Sequence, residues 1–285
     1  MTDSNQNQPF IDLHLHTTAS DGTFTPSEVV RFSKRLNLEA IAITDHDSIA
    51  GINEALEAGK REGIEVIPGI EFSTEVKNVS IHIVGLFVDI KSEKLIKLTQ
   101  EIQNAREKRA KKIIEKINAL NKGPIISFEE VYAKANGLIG RPHIAEVLIE
   151  KGFASTIEET FENYLKRGAS CYVPRFKITP IECFKLLNEM GAIPILAHPG
   201  LLPKKLDFEY FLKTLVENGL VGIEVFYPTH KYEQREYFHE IAGKYNLLES
   251  GGSDCHGLLN NGPFIGSQQI PYSILDKMKK SFNKD

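Results

Sequence analysis

The sequence is poor in cysteine and has no long apolar stretch. Its three cysteines, Cys171, Cys183 and Cys255, have spacings that fit neither a disulfide framework nor a paired-thiolate zinc site, which favours a reducing compartment. No apolar run approaches the roughly 20 residues that a membrane helix needs. The polar segment 1–9 lacks the basic start and apolar core of a signal peptide. We therefore expect a cytoplasmic protein without a membrane partner.

An excess of basic charge is also missing. The chain has 34 Lys and Arg against 38 Asp and Glu, a formal net charge of -4. This balance gives no positive field to hold duplex DNA, although local positive groups could still bind a small anionic ligand. Because 41% of the residues are hydrophobic and 25% are charged, wholesale disorder and a fibrous repeat are excluded. The composition predicts a folded globular protein of 285 residues.

Short apolar runs alternate with helical stretches from residue 10 to about residue 90, as in FIDLHLH, TPSEVVRFSKRLN, EAIAITD and INEALEAGKREG. This alternation predicts right-handed βαβ units around a parallel sheet. One helix start has a specific signature, with Thr25 as cap, Pro26 at the first helical position and Glu28 three residues after the cap.

The alternation is interrupted between residues 91 and 177. There the segment LIKLTQEIQNAREKRAKKIIEKINAL predicts one long amphipathic helix, and shorter helical stretches follow it. The βα alternation returns from residue 178 to residue 285. We therefore predict an α/β barrel domain formed by residues 10–90 and 178–285, with residues 91–177 as a helical insertion that acts as a substrate lid.

The first apolar run contains two histidines at strand spacing. In the segment from Ile11 to His16, alternation places Ile11, Leu13 and Leu15 on one face and Asp12, His14 and His16 on the other. Two imidazoles side by side can hold one metal ion, and the polar loop that follows brings Asp21 toward the same place. Two exposed strand histidines are an equally good interpretation of this spacing alone.

The same arrangement recurs at later strand ends, in ITDHD, PGIE, SIHIVG, AHPG and GSDCHG. Parallel strands of a barrel bring their carboxyl ends to one face, where barrel enzymes have their active sites. We expect six histidines and three carboxylates to converge there: His14, His16, Asp21, His46, Glu71, His82, His198, Asp254 and His256. So many polar and charged groups would not be buried together without bound metal, since unpaired buried charges are costly.

Imidazole and carboxylate ligands without thiolate suit Zn, Mn or Fe, and nine candidates exceed what one ion can use. We therefore expect two or three divalent ions. Clustered divalent ions hold a hydroxide poised for in-line attack and stabilise the attacking and leaving oxygens of phosphate ester hydrolysis.

The motifs HLHTTASDG, ITDHD, PGIE, HIVG, AHPG and SDCHG resemble, in this order, the metal-binding motifs of the PHP superfamily, named for polymerase and histidinol phosphatase. The resemblance covers most of the chain, and all nine ligand positions of the family are filled. It implies a distorted (β/α)7 barrel of TIM type with a trinuclear Mn, Fe or Zn site.

The resemblance also implies a division of the ligands. It assigns His14, His16, Glu71 and Asp254 to one ion, Glu71 as a bridge with His82 and His198 to the second, and Asp21, His46 and His256 to the third. Asp12 and Asp45 lie near ligands in the sequence and are candidates to orient their second ring nitrogens. Asp47 is better interpreted as a helix cap.

The insertion contains the segment RPHIA, which is similar to that of PHP enzymes that remove the 3'-phosphate from nucleoside 3',5'-bisphosphates and trim short RNA from its 5' end. Arg141 offers a planar fork that matches a phosphate, and His143 offers a second donor. The segment alone is better explained by an ordinary helix start, with Pro142 at the first helical position and Arg141 solvated. Together with the resemblance, it predicts that Arg141 and His143 bind phosphate.

Five other residues receive a plainer interpretation. We expect the Cys255 thiol to point away from the metals, His239 to lie on a helix surface and His230 to be a loop residue. Arg175 and Lys177 could extend a phosphate-binding surface, but solvated side chains are the more common outcome.

These observations predict a phosphoesterase in which a metal-activated hydroxide attacks phosphorus, with Mn as the expected metal and Fe or Zn as alternatives. Asp254 and His256 are the expected catalytic residues, acting through that hydroxide. Together with the resemblance, these observations favour as substrate the 3'-phosphate of a nucleoside 3',5'-bisphosphate, or the 5' end of a short RNA. Small phosphorylated molecules, nucleotides and short oligonucleotides are thus the expected partners, and duplex DNA is not expected. Two alternatives remain: a histidinol phosphatase, and a noncatalytic metal-binding domain.

Overall fold

The computed structural model describes residues 9–135, 138–258 and 262–282, so most of the polar N-terminal segment lies outside the described residues. The chain divides into two compact units. The barrel unit comprises residues Met1–Ile96 and Ile178–Asp285, and the helical unit comprises residues Lys97–Lys177.

One sheet of eight strands forms the barrel unit, in the order β7-β6-β5-β4-β3-β2-β1-β8. The strands are β1 (Phe10–Leu15), β2 (Leu38–Ile43), β3 (Glu65–Val76), β4 (Val79–Leu86), β5 (Ile193–Leu196), β6 (Gly222–Phe226), β7 (Leu248–Gly251) and β8 (Ile270–Pro271). The segment after β7 returns to β1, where Asp254 N donates to the His14 carbonyl at 2.9 Å and His16 N donates to the Cys255 carbonyl at 3.1 Å. These bonds nearly close the sheet, so the predicted distorted TIM-like α/β barrel is confirmed.

Helices follow most strands of the barrel unit. They are α1 (Pro26–Arg35), α2 (Ile52–Glu62), the start of α3 (Glu93–Leu120), α7 (Pro180–Glu189), α8 (Phe208–Glu217), α9 (Tyr232–Tyr245) and α10 (Tyr272–Phe282), with a 3-10 turn at Pro199–Leu201. The predicted start of α1 is confirmed: Thr25 Oγ1 accepts from Glu28 N at 3.2 Å, and the Glu28 carboxylate accepts from Thr25 N at 2.8 Å. This reciprocal capping satisfies two backbone donors that the first turn leaves free.

Strand β4 departs from the expected parallel arrangement, because it runs antiparallel to both β3 and β5. The cause is a two-residue turn at Lys77 and Asn78, whose φ values of 46° and 69° are typical of a tight hairpin. So short a connection cannot cross over to make a parallel pair. As a result, His82 lies opposite Ser73 in the first half of its strand and not at its carboxyl end.

The interior of the barrel is apolar beneath the predicted site. Ile11 and Leu13 of β1 pack with Ala40, Ala42 and Val84 in one buried cluster. The predicted common face for Ile11, Leu13 and Leu15 is not maintained, since Leu15 packs instead in a second cluster, whose members include Val29 and Ile41. The pairing of β1 with β2 shifts register between Asp12 and Leu15. Such an irregularity re-aims the side chains that follow it, here the two histidines.

The helical unit has a core of its own. It contains most of α3, then α4 (Phe128–Lys134), α5 (Arg141–Glu150), α6 (Ile157–Thr160) and a π-helical turn at Phe161–Leu165. Ile113, Ile117, Val131, Ile144 and Leu148 are among the buried residues that hold these helices together. No helix within the described ranges is both long and apolar enough to cross a membrane.

Candidate metal centre

The barrel unit brings all nine predicted ligand residues together. Three overlapping groups have ligand atoms within 4.8 Å of one another: His16, Asp21, His46 and His256; His14, His16, Glu71 and Asp254; and His46, Glu71 and His82. His198 joins them through its Nε2, which lies 3.1 Å from Glu71 Oε1. Ligands that are up to 242 residues apart in the sequence therefore meet at one end of the barrel because successive strands and their following loops deliver them there.

Glu71 occupies the middle of this group and is fully buried. Its Oε1 lies 2.8 Å from His82 Nδ1, and its Oε2 lies 2.8 Å from His46 Nδ1. The same Oε2 lies 3.3 Å from the Nε2 atoms of both His14 and His16. A carboxylate that faces imidazoles with both oxygens has the geometry of a bridging ligand.

The two aspartates flank this glutamate. Asp254 Oδ1 lies 3.0 Å from His16 Nε2 and 3.3 Å from His14 Nε2. Asp21 Oδ1 lies 3.3 Å from His256 Nε2, and its Oδ2 lies 3.9 Å from His46 Nε2. Asp21 is the most exposed member of the cluster, with 43% of its side chain accessible, so this side of the centre is open to solvent.

The pKa values of the histidines show that the cluster favours positive charge. Burial lowers the pKa of the His16 and His46 rings, but neighbouring carboxylates outweigh it and raise each pKa to about 9. The pKa of His14 is likewise raised well above its usual value, because Glu224, Asp254 and Glu71 together outweigh burial. The carboxylates thus favour positive charge among the rings, supplied by protons or by metal ions.

The donor set fits metal ions. Six buried ring and carboxylate atoms have no aligned hydrogen-bond partner among the described residues: His14 Nε2, His16 Nδ1, His16 Nε2, His46 Nδ1, Glu71 Oε2 and Asp254 Oδ1. Buried polar atoms without partners are rare in native proteins and point to a missing ion or water. Imidazole and carboxylate are the donors that Zn, Mn and Fe accept.

Two residues of the centre escaped the sequence analysis. Glu224 of β6 places Oε1 at 2.8 Å from His14 Nδ1, and the Tyr227 hydroxyl donates to Asp254 Oδ2 at 2.9 Å. The available signal was a single acidic residue between Ile223 and Val225 in an apolar strand, which is costly to bury without a partner. No spacing in the sequence marks Tyr227.

The roles predicted for three aspartates were wrong. The Asp12 carboxylate accepts from the backbone N–H groups of His14, Ser253 and Gly266 and contacts no imidazole ring. The Asp45 carboxylate accepts from Thr17 N, Thr17 Oγ1 and Ser20 Oγ. Asp47 accepts from Ser73 N at 3.0 Å, and helix α2 is capped at Gly51. The hydrogen bonds of these three carboxylates go to backbone and hydroxyl donors. They hold in place the segments that carry the ligand residues.

The predicted phosphate-binding residues lie in the helical unit. Arg141 is the first residue of α5; its Nη1 donates to the Leu165 carbonyl at 2.9 Å, and its guanidinium stacks 5.1 Å from the Phe161 ring centre. His143 Nδ1 accepts from Gly140 N at 3.0 Å and so caps the helix. Pro142 follows Arg141 at the second helical position instead of the predicted first.

Arg141 belongs to a cluster of arginines. It lines a small recess together with Arg106 and Arg109. Burial, together with the positive charges of Arg141, Arg175 and Arg106, lowers the pKa of Arg109 to about 10. Arg175 is half-buried and therefore not a freely solvated side chain. Like charges held together in this way favour an anionic ligand.

The remaining residues divide between confirmed and corrected interpretations. Cys255 is buried in the apolar cluster of Leu15, away from the metal-ligand atoms, and His239 is exposed on α9, both as predicted. His230 is a loop residue, as predicted, but it is not exposed to solvent. It is buried in the turn after β6, where Nδ1 donates to the Val225 carbonyl at 3.0 Å and Nε2 accepts from Gly200 N at 3.1 Å.

A near-closed α/β barrel with a buried cluster of imidazole and carboxylate donors defines the class of this protein as a metal-dependent hydrolase. A family model described as PHP domain matches residues 12–172, more than half of the chain. A 5'-3' exoribonuclease of Haemophilus influenzae is 35% identical over 248 residues, which are 86% of this chain and 89% of that protein. The chain therefore belongs to the PHP family.

Other relatives match over similar lengths. A phosphoribosyl 1,2-cyclic phosphate 1,2-diphosphodiesterase of Eggerthella lenta is 30% identical and covers 90% of this chain and 97% of its own. A 3',5'-nucleoside bisphosphate phosphatase of Chromobacterium violaceum is 28% identical and covers 92% of both chains. Among solved structures, a Bifidobacterium adolescentis protein assigned as a metal-dependent phosphoesterase superposes with a TM-score of 0.84 at 29% identity and covers 96% of both chains. The predicted family, barrel fold and hydrolase class are confirmed.

Proposed function

We propose that this protein removes the 3'-phosphate from nucleoside 3',5'-bisphosphates and also trims short RNA from its 5' end. The observation that carries the proposal is the complete set of nine converging ligands in the barrel unit, in a chain that also contains an arginine cluster. The relatives named 5'-3' exoribonuclease and 3',5'-nucleoside bisphosphate phosphatase support it. These names favour nucleotide substrates over the histidinol phosphate alternative, and the complete ligand set argues against a noncatalytic domain.

The nine residues divide, in this proposal, among two or three ions as the family resemblance implies. Bound there, divalent ions would supply a nucleophilic hydroxide at neutral pH and Lewis acidity toward the phosphoryl oxygens. Mn is the metal we expect, with Fe and Zn as alternatives, since imidazole and carboxylate accept all three. Glu71, central and fully buried, is the residue we expect to bridge two ions.

Hydrogen bonds in the centre prepare its histidines for ligation. His256 Nδ1 donates to the Asp254 carbonyl at 2.9 Å, so the lone pair of its Nε2 faces the cluster beside Asp21. This arrangement favours a ligand role for His256 over the role of proton donor to the leaving group. Asp254 and His256 therefore contribute to catalysis by holding the ions, as the sequence predicts.

Substrate phosphate is the proposed ligand of Arg141 and His143. Only one donor of the Arg141 guanidinium is used by the Leu165 carbonyl, and the planar group has five. His143 accepts at Nδ1, so the neutral ring carries its proton on Nε2. The like-charged neighbours Arg106 and Arg109 would add to the attraction for the second phosphate of a bisphosphate.

A cyclic phosphodiester is the second candidate substrate. The Eggerthella lenta relative is named for hydrolysis of phosphoribosyl 1,2-cyclic phosphate, and this chain aligns with 97% of its length. Hydrolysis of such a phosphodiester would use the same metal centre. Both candidates carry a second phosphate, so they differ in the bond that is hydrolysed: a phosphomonoester in the bisphosphate and a cyclic phosphodiester in phosphoribosyl 1,2-cyclic phosphate.

The proposal is tested by phosphate release from adenosine 3',5'-bisphosphate after chelation and reconstitution with Mn. Histidinol phosphate, phosphoribosyl 1,2-cyclic phosphate and a 5'-phosphorylated oligoribonucleotide are assayed in parallel. We expect 5'-AMP as the product of the bisphosphate, and 5'-nucleotides from the oligonucleotide. The double variant His14→Ala and His16→Ala should be inactive on every substrate. The proposal would be overturned if the reconstituted protein hydrolysed only histidinol phosphate, or if it hydrolysed none of the four substrates.

A further inference from the structure

Glu224 is a buried carboxylate that uses both oxygens near the metal centre. It lies on β6 and is 1% exposed. Its Oε1 is 2.8 Å from His14 Nδ1, and its Oε2 accepts a hydrogen bond from His198 N at 2.6 Å. One side chain thus contacts two of the nine predicted ligands, which the family resemblance divides between different ions.

The contact with His14 decides which ring nitrogen carries the proton. An ionised carboxylate can only accept, so His14 Nδ1–H donates to Glu224. The lone pair is then on Nε2, which lies 3.3 Å from both Glu71 Oε2 and Asp254 Oδ1 and has no aligned hydrogen-bond partner in the part of the chain that the structure describes. This is the tautomer and orientation that ligation through Nε2 requires.

The contact with His198 holds an unfavourable backbone conformation. His198 has φ 30° and ψ 57°, in the left-handed region that residues with a Cβ rarely adopt. The bond from His198 N to Glu224 stabilises this conformation, which places His198 Nε2 at 3.1 Å from Glu71 Oε1. Without the carboxylate, the buried N–H group would lose its partner and the backbone would be free to relax.

We propose that Glu224 is a positioning residue that joins two metal positions by fixing the ring of His14 and the backbone of His198. The inference rests on the metal centre of the proposed function and adds a tenth residue to it. Carboxylates that hold ligand histidines in this way commonly change metal affinity about 10–100-fold when removed.

The substitution Glu224→Gln isolates this role, because glutamine has the same shape but only one acceptor oxygen. Both partners of Glu224 are N–H groups, so the amide nitrogen must face one donor. If it faces His14, the ring proton moves to Nε2 and blocks ligation there. If it faces His198, the backbone N–H loses its acceptor.

A matched control is available on the same unit. Glu249 also lies 2.8 Å from the Nδ1 of a histidine, His239, but this pair is on the surface outside the ligand cluster. The substitution Glu249→Gln therefore makes the same chemical change to a glutamate–histidine pair without touching the metal centre.

The experiment measures bound metal by elemental analysis and the rate of metal loss to a chelator for the full chain loaded with Mn. We expect Glu224→Gln to lose metal about 10–100-fold faster than the wild type, and Glu249→Gln to match the wild type. A merely structural role would lower the melting temperature equally with and without metal. A positioning role would reduce the increase in melting temperature that Mn produces.

Two outcomes separate this inference from the proposed function. A wild type that binds no divalent ion would refute the proposed function itself. A wild type that binds Mn, with Glu224→Gln equally resistant to the chelator, would refute only the role of Glu224. If the glutamine variant does not fold, Glu224→Asp takes its place: it keeps two acceptor oxygens but withdraws them by one methylene, and we expect the same faster loss of metal.

Discussion

The Tyr227 hydroxyl donates a hydrogen bond of 2.9 Å to Asp254 Oδ2, which leaves Oδ1 directed at His14 and His16. Burial and the neighbouring Asp254 raise the pKa of Tyr227 well above its usual value, so the hydroxyl remains a donor throughout any practical assay range. The tyrosine thereby fixes which carboxylate oxygen faces the cluster.

Loss of this hydroxyl should loosen Asp254 without removing a ligand. We expect Tyr227→Phe to weaken metal binding about 10-fold, the lower end of the effect of outer hydrogen bonds on metal sites. Titration of activity against Mn concentration measures the shift. Tyr232→Phe is the control, since Tyr232 is 73% exposed. An unchanged Mn requirement in Tyr227→Phe would show that Asp254 is oriented by other contacts.

Replacement of Glu71 should reduce metal binding, activity and stability far more than replacement of Tyr227. The substitution Glu71→Gln removes the negative charge that faces five imidazoles while leaving them buried. We expect loss of bound metal and of activity, and a metal-free form that is less stable by about 3–5 kcal/mol, because breaking a buried ion pair leaves uncompensated charge. Elemental analysis and urea unfolding check both effects. The exposed pair of Glu189 and Lys94 provides the control, and Glu189→Gln should leave the stability almost unchanged, because exposed ion pairs contribute little.

The proposed phosphate contact at Arg141 predicts an effect on substrate binding. Arg141→Lys keeps the charge but loses the planar fork, so we expect KM for adenosine 3',5'-bisphosphate to rise about 10-fold or more, with a smaller change in kcat. Substrates without a second phosphate should show a smaller rise. Arg31→Lys, on the exposed surface of α1, serves as the control. Equal KM values for Arg141→Lys and the wild type would remove Arg141 from the substrate site.

The barrel and most of the nine converging residues could be predicted because most ligands follow or end an apolar run, and parallel strands deliver such positions to one face. His82 reaches the same place from the first half of the antiparallel strand β4. The orientation of β4 was missed although a signal existed, since Lys77 and Asn78 separate two apolar runs by only two residues. Such a gap predicts a hairpin.

Glu224 and Tyr227 were missed for a different reason. Their partners are His14 on β1 and Asp254 in the segment after β7, and no spacing along the chain links these positions to β6 or to the loop that follows it. The predictions for Asp12 and Asp45 were wrong because they relied on nearness in the sequence. Nearness to His14 and His46 in the sequence suggested ring contacts. In the structure, the chain after β7 provides backbone donors to Asp12, and the loop after β1 provides backbone and hydroxyl donors to Asp45.

The raised pKa values of His16 and His46 predict how the metal-free protein responds to pH. Burial lowers both values, but the surrounding carboxylates outweigh it and bring each to about 9, against an ordinary 6.5. A pKa raised on folding contributes stability that is complete below about pH 6.5 and is lost as the pH rises through about 9. Asp21 and Asp254 have lowered pKa values, so their contribution is lost only below about pH 4 and does not vary in this window.

We therefore expect the melting temperature of the chelator-treated protein to fall between about pH 6.5 and about pH 9. The Mn-loaded protein should not follow it, because metal ligation requires deprotonated imidazoles and gains affinity as protons leave. The stabilisation by Mn, measured as the difference between the two melting temperatures, should then increase with pH across this window. A metal-free protein whose melting temperature stays constant or rises there would show that the carboxylates of the centre do not hold protons on His16 and His46, and that the charge they require is supplied in another way.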